Sequence, residues 1–130
     1  MTVLSRREEE LAKAIVAAAY TVHKSLGPGL LESIYEACFC HELGKRRIPY
    51  RRQVRMPLVY DGIEFSEGLR LDVLVDDLFI CELKCVDSLK PVFLAQALSQ
   101  LKLTGKHLGF LINFNVPVIK QGIQRVINSS

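Results

Sequence analysis

The chain has 130 residues, 49% hydrophobic and 24% charged, with a formal net charge of +3. This is the composition of one globular domain, residues 1–130, rather than of a disordered chain. No apolar run approaches the ~18–20 residues a bilayer crossing needs, and the opening residues carry Arg6, Arg7, Glu8, Glu9 and Glu10 where a cleavable signal would be apolar. The expectation is a cytoplasmic protein, not membrane-bound, whose four cysteines stay reduced.

Ser5-Arg6-Arg7-Glu8 has the form of a capping box. Leu11, Ile15, Ala18, Val22 and Leu26 then recur at the spacing of one helical face, and Gly27-Pro28-Gly29 ends the helix. A second helix is expected from Leu30, with Leu31, Ile34, Tyr35, Cys38, Phe39 and Leu43 apolar and Gly44 as its stop. The period then changes. Ile48–Tyr60 reads as extended, its Pro49 and Pro57 suggesting an edge strand or an interruption, Asp61-Gly62 as a hairpin turn, Ile63-Glu64-Phe65 as a short return, and Glu67-Gly68 as another turn. Leu69–Val75 and Phe79–Cys85 are two strong strands. Pro91 opens a third helix, with Leu94, Leu98 and Leu101 as its buried stripe and Gly105 as its stop. Leu108–Phe114 reads as a buried strand. Pro117 opens a short final helix carrying Val118, Ile119, Ile123 and Val126. The order α-α-β-β-β-β-α-β-α predicts an α/β fold with helices flanking a mixed sheet.

The two strong strands carry the chemistry. Alternation puts Leu69, Leu71, Val73 and Val75 on one face of the first and Arg70, Asp72 and Leu74 on the other. In the second, Phe79, Cys81, Leu83 and Cys85 oppose Ile80, Glu82 and Lys84. A two-residue turn at Asp76-Asp77 would set Leu71 against Glu82 and place a carboxylate on the apolar face. Moving the pairing by one residue sets Asp72 against Glu82 and clears that face, so a three-residue connection or a bulge is predicted. Two carboxylates about 5 Å apart repel unless a cation joins them. Lys84 is one candidate, and a hard divalent ion, Mg²⁺ or Mn²⁺, is the other. A solvent-exposed ladder of ion pairs is the structural alternative.

Lys45, Arg46, Arg47, Arg51, Arg52 and Arg55 fall between Leu43 and Asp61 with no acidic residue among them. Such a stripe suits phosphate binding, and it equally suits an edge strand guarded against aggregation.

Asp72 with Glu82-Leu83-Lys84 resembles the D…(D/E)XK signature of the PD-(D/E)XK nuclease superfamily. Gly29-Leu30-Leu31-Glu32-Ser33-Ile34-Tyr35 resembles the G-x-x-E-x-x-Y motif of the GxxExxY protein family, a branch of that superfamily, through Gly29, Glu32 and Tyr35. The resemblance implies a restriction-endonuclease-like αβββαβ core with extra N- and C-terminal helices, and metal-dependent hydrolysis of nucleic acid, DNA or RNA. It implies Asp72 and Glu82 as ligands of Mg²⁺ or Mn²⁺, joined by the Leu83 carbonyl and Glu32. Lys84 would orient water or stabilise charge, Gln96 would complete the catalytic set, and Arg51, Arg52 and Arg55 would hold backbone phosphates. The alternative is a nuclease-fold module, inactive as an enzyme, that binds nucleic acid or a protein. Two departures from relatives stand out: Gln100 occupies a position that is often Tyr, and Phe93-Leu94 replace a common His–acid pair. The cysteines lack zinc spacing and read as core thiols, and His23, His41 and His107 are scattered with no paired nucleophile.

Overall fold

The capping box forms as written in the sequence. Ser5 Oγ accepts from the Glu8 N–H at 3.1 Å, and Glu8 Oε1 accepts from the Ser5 N–H at 2.8 Å, opening α1 (Arg6–Leu26). The computed structural model describes residues 3–129. Leu11, Ile15, Ala18 and Val22 bury, whereas Leu26, the last residue of the helix, is exposed.

Helix α2 (Glu32–Lys45) begins later than expected, with Leu31 as its N-cap. Leu31 and Ile34 are exposed, and the buried arc is Tyr35, Glu36, Phe39, Cys40, Glu42 and Leu43. The arc rotates toward two glutamates because both are paired: Glu42 with Arg46 at 2.8 Å and Glu36 with Arg52 at 2.9 Å. Gly44 does not stop the helix; the chain leaves it at Arg47, whose φ is 57°.

Strands β1 (Tyr50–Tyr60) and β2 (Ile63–Val75) form one long antiparallel ribbon. Asp61 and Gly62 join them with φ of 55° and 73°, both in the left-handed region a tight hairpin needs. The turn expected at Glu67-Gly68 is absent, and β2 runs straight through it. The ladder instead shifts register between Met56 and Leu58, around Pro57, which has no N–H to donate. Gly68, at φ 36°, faces the Met56 carbonyl so closely that a Cβ would collide with it. That is a bulge, not a turn.

The connection to β3 (Phe79–Lys84) has three residues, Asp76, Asp77 and Leu78, as the apolar face requires. Val75 pairs with Phe79, Leu74 with Ile80 and Val73 with Cys81. Helix α3 (Pro91–Thr104) starts on its proline and ends at Gly105. It buries Ala97 and Leu101; Leu98, expected in its stripe, is exposed. β4 (Leu108–Asn113) lies parallel to β3. The expected last helix is a single 3₁₀ turn, Ile119–Gly122, followed by β5 (Ile123–Ile127) antiparallel to β4. Strand pairing prevails there because β4 would otherwise be an open edge. Alternation follows, with Ile123 packing toward α1 and α2 and Val126 toward α3.

The sheet order is β1-β2-β3-β4-β5. Val73, Val75, Phe79, Cys81 and Leu83 pack with α1 and α2; Leu71, Leu74, Ile80 and Leu111 pack with α3. This is an α/β fold with three helices about a five-stranded mixed sheet. No helix among the described residues is long and apolar enough to cross a membrane.

Candidate active site

Besides the bulge at Gly68, the sheet is irregular at Asp72. Its neighbours pair with β1, Leu71 with Val54 and Val73 with Arg52, but Asp72 takes no place in that ladder. The β2–β3 ladder likewise stops at Val73. Side chains take over where backbone pairing ends. Asp72 Oδ2 accepts from the Leu83 N–H at 2.9 Å, and the Asp72 N–H approaches Glu82 Oε1 at 3.4 Å. The break also corrects the expected faces, because Leu71 packs toward α3 while Val73 packs toward α1 and α2.

Asp72 and Glu82 are both buried. Burial, reinforced by the Asp72 charge, pushes the Glu82 carboxyl up to about 7. Burial also raises Asp72, against the pull of the Leu83 N–H, and the Glu36 charge adds to the rise. Glu32, at the first turn of α2, is raised by burial and next by Asp72. The Asp72 charge therefore reaches carboxyls on two other elements, Glu82 on β3 and Glu32 on α2. Lys84, from β3, lies within electrostatic reach of Asp72, Glu82 and Glu32. Its Nζ sits 4.8 Å from the centre of the Phe93 ring, a cation–π contact that holds the ammonium between β3 and α3.

The motif residues Gly29 and Tyr35 shape the approach to Glu32. Gly29 takes φ 95° in the α1–α2 connection. The Tyr35 hydroxyl donates to the Gly27 carbonyl and accepts from the Leu30 N–H at 3.1 Å, while its ring stacks on Phe114 at 4.7 Å. Tyr35 thus anchors the loop that delivers Glu32.

Other expected residues are placed differently. Gln96 is exposed and lines, with Leu69, Val92, Ser99 and Gln100, a cavity of about 340 Å³. It is Gln100, one turn later, whose amide lies against Glu82 and tempers the rise in its pKa. Gln100 Oε1 is buried without a hydrogen-bond partner among the described residues. Arg52 is bound to Glu36, and Arg51 contacts Asp77 at 3.5 Å. Arg55 lies directly opposite Arg70, and Arg70 acts electrostatically on both Asp72 and Glu32. Sequence reasoning missed Glu36, Arg70 and Gln100 as site residues. Glu36 had a legible signal, since it stands one helical turn after Glu32.

A buried carboxylate pair beside a lysine, at the opened ladder of a mixed sheet between helices on both faces, defines a nuclease-type α/β protein. The sequence profile of the PD-(D/E)XK nuclease superfamily matches residues 9–126, and the chain belongs to that superfamily. No curated protein and no solved structure matches it significantly.

Members of the superfamily generally use divalent metal ions. Among the described residues no group of three or more His, Cys, Asp or Glu side chains could by itself hold a metal ion. The donor set still fits Mg²⁺ or Mn²⁺, which take one or two carboxylates and complete their shell with water and substrate phosphate. Asp72 and Glu82 are such a pair, both destabilised as anions where they stand, with the unpartnered Gln100 Oε1 as a neutral oxygen nearby.

Proposed function

We propose that this chain is a metal-dependent nuclease of the GxxExxY branch that hydrolyses phosphodiester bonds of nucleic acid in the cytoplasm, where its free thiols remain reduced. The observation that carries the reading is the buried Asp72–Glu82 pair with Lys84 beside it on β3. Asp72 and Glu82 would hold the ion, assisted by the Leu83 carbonyl and by Glu32 from α2. When bound, the ion supplies Lewis-acid charge to the phosphoryl group. Lys84 would orient the attacking water or neutralise charge growing on the phosphate, and Phe93 keeps its ammonium near the site. Gln96, exposed on α3, would act on substrate at the rim, and Gln100 beside Glu82. Arg55 would hold backbone phosphate, with Arg51 and Arg52 released from their carboxylates to join it.

The test is incubation of single- and double-stranded DNA and RNA with Mn²⁺, using wild type, Asp72→Asn and Lys84→Ala. Wild type should cleave at least one substrate. Asp72→Asn should lose Mn²⁺ affinity and keep its fold. Lys84→Ala should bind Mn²⁺ nearly as wild type and cleave about 10²-fold more slowly, since it removes transition-state stabilisation rather than a ligand. Absence of both cleavage and Mn²⁺ binding in wild type refutes the proposal.

A second reading is a nuclease-fold module that binds nucleic acid or a protein without turnover. The exposure of Gln96, away from the buried carboxylate pair, favours it. Nucleic-acid binding that is salt-sensitive but indifferent to Mn²⁺, with no cleavage, would establish that reading.

A further inference from the structure

Gln53 has an anomalous backbone for its place. Its φ is 50°, in the left-handed region, although it lies inside β1; Arg47, Asp61, Asp76 and Asp77, which share that sign, lie in connections. A left-handed backbone at a residue with a side chain costs about 1 kcal/mol or more and persists where its surroundings hold it. Here Gln53 Nε2 donates to Glu36 Oε1 at 2.6 Å, and Arg52 Nε donates to Glu36 Oε2 at 3.0 Å, so α2 grips β1 at this point.

The register places Gln53 opposite Asp72. Arg52 pairs with Val73 and Val54 with Leu71, and the pair between them is missing. Side-chain alternation in β2 slips at the same place, with Leu71 and Leu74 packing toward α3 and Val73 away from it. In an unbroken strand Asp72 would share the α3 face with Leu74, away from α2. In the structure it reaches the Leu83 N–H and feels both Glu36 and Lys84.

We infer that Gln53 is a positioning residue: its left-handed backbone breaks the β1–β2 ladder at Asp72 and turns that carboxylate from the α3 face into the gap beside β3. This deepens the nuclease reading and rests on it for the role of Asp72; the kink itself stands independently of that role.

The experiment compares Gln53→Gly with Gln53→Val. Glycine accepts the left-handed backbone, whereas valine, β-branched, favours a regular strand. Two readouts are taken on the full chain: nuclear Overhauser cross-peaks from the Leu71 methyls to Ala97 and Leu101, without metal, and Mn²⁺ affinity by calorimetry. Gln53→Gly should keep the Leu71 cross-peaks and bind Mn²⁺ within about threefold of wild type. In Gln53→Val those cross-peaks should vanish and Mn²⁺ should bind at least tenfold more weakly. Cross-peaks that persist in Gln53→Val, or equal changes in both variants, overturn the inference. Cross-peaks present in wild type and absent in the valine variant alone, but with neither Mn²⁺ binding nor cleavage in wild type, would uphold the kink and overturn the nuclease reading.

Discussion

Burial and the Asp72 charge hold the Glu82 carboxyl up at about 7, so the folded chain keeps a proton that the unfolded chain has released above 4.5. Folded protein thus binds more protons than unfolded protein across that window, and stability falls as pH rises through it. At about 1.4 kcal/mol per unit, the loss from Glu82 is at most roughly 3–4 kcal/mol. Asp72, also raised, acts in the same direction. Glu42, held below its usual range by Arg46, acts only at lower pH, losing its contribution as it protonates. Without metal, Tm should therefore drop between pH 5 and pH 7.5. Asp72→Asn should flatten the drop by removing the neighbouring charge, and Mn²⁺ should restore Tm at pH 7.5. Thermal melts in EDTA and in Mn²⁺ check all of this; an equal Tm at the two pH values without metal would contradict it.

The connection between α1 and α2 converts a loop into a mount for Glu32. Tyr35 performs that work with its hydroxyl bridging the Gly27 carbonyl and the Leu30 N–H. Tyr35→Phe keeps the ring on Phe114 and removes both bonds, which should cost about 1–3 kcal/mol in urea unfolding. It should also weaken Mn²⁺ binding modestly if Glu32 reaches the ion, and unchanged stability would show that the bridge is dispensable. Elements with strong local signals were legible in sequence: the capping box, the Pro91 start, the Gly105 stop and the hairpin at Asp61-Gly62. The three-residue connection at Asp76–Leu78 was legible too, because only one register kept charge off an apolar face. What escaped was decided by distant partners. β5 is a strand because β4 needs an edge partner, and Gly68 is a bulge because the Met56 carbonyl crosses it. The kink at Asp72 depends on Gln53 and Glu36, which come from two other elements. Period-two reasoning therefore paired Asp72 with Glu82 but assigned Leu71 to the wrong side.

Across the whole molecule the basic stripe separates into tethered and available charge. Arg46 is bound to Glu42, Arg52 to Glu36 and Arg51 to Asp77, so these cations already face carboxylates. Arg55 and Arg70 differ: they stand directly opposite each other on the β1–β2 ribbon, and neither joins an ion pair among the described residues. Like charges directly opposed across a ladder repel, and an anion between them would relieve the repulsion. Arg70 also acts on Asp72 and Glu32, which locates this pair at the approach to the carboxylates. A nucleic-acid backbone lying across the ribbon would thus meet Arg55 and Arg70 before it met Arg51 or Arg52. Replacing Arg55 and Arg70 by Gln should lower the log–log salt slope of nucleic-acid binding by up to about two units, near 0.7–0.9 for each phosphate no longer neutralised. Replacing Arg51 and Arg52 should change it less, because their release from Asp77 and Glu36 offsets what pairing with phosphate would supply. Fluorescence anisotropy with a labelled oligonucleotide over a salt series, in Ca²⁺ or without metal to prevent cleavage, measures both slopes. A larger change for Arg51 and Arg52 than for Arg55 and Arg70 would move the nucleic-acid path to the other end of the ribbon.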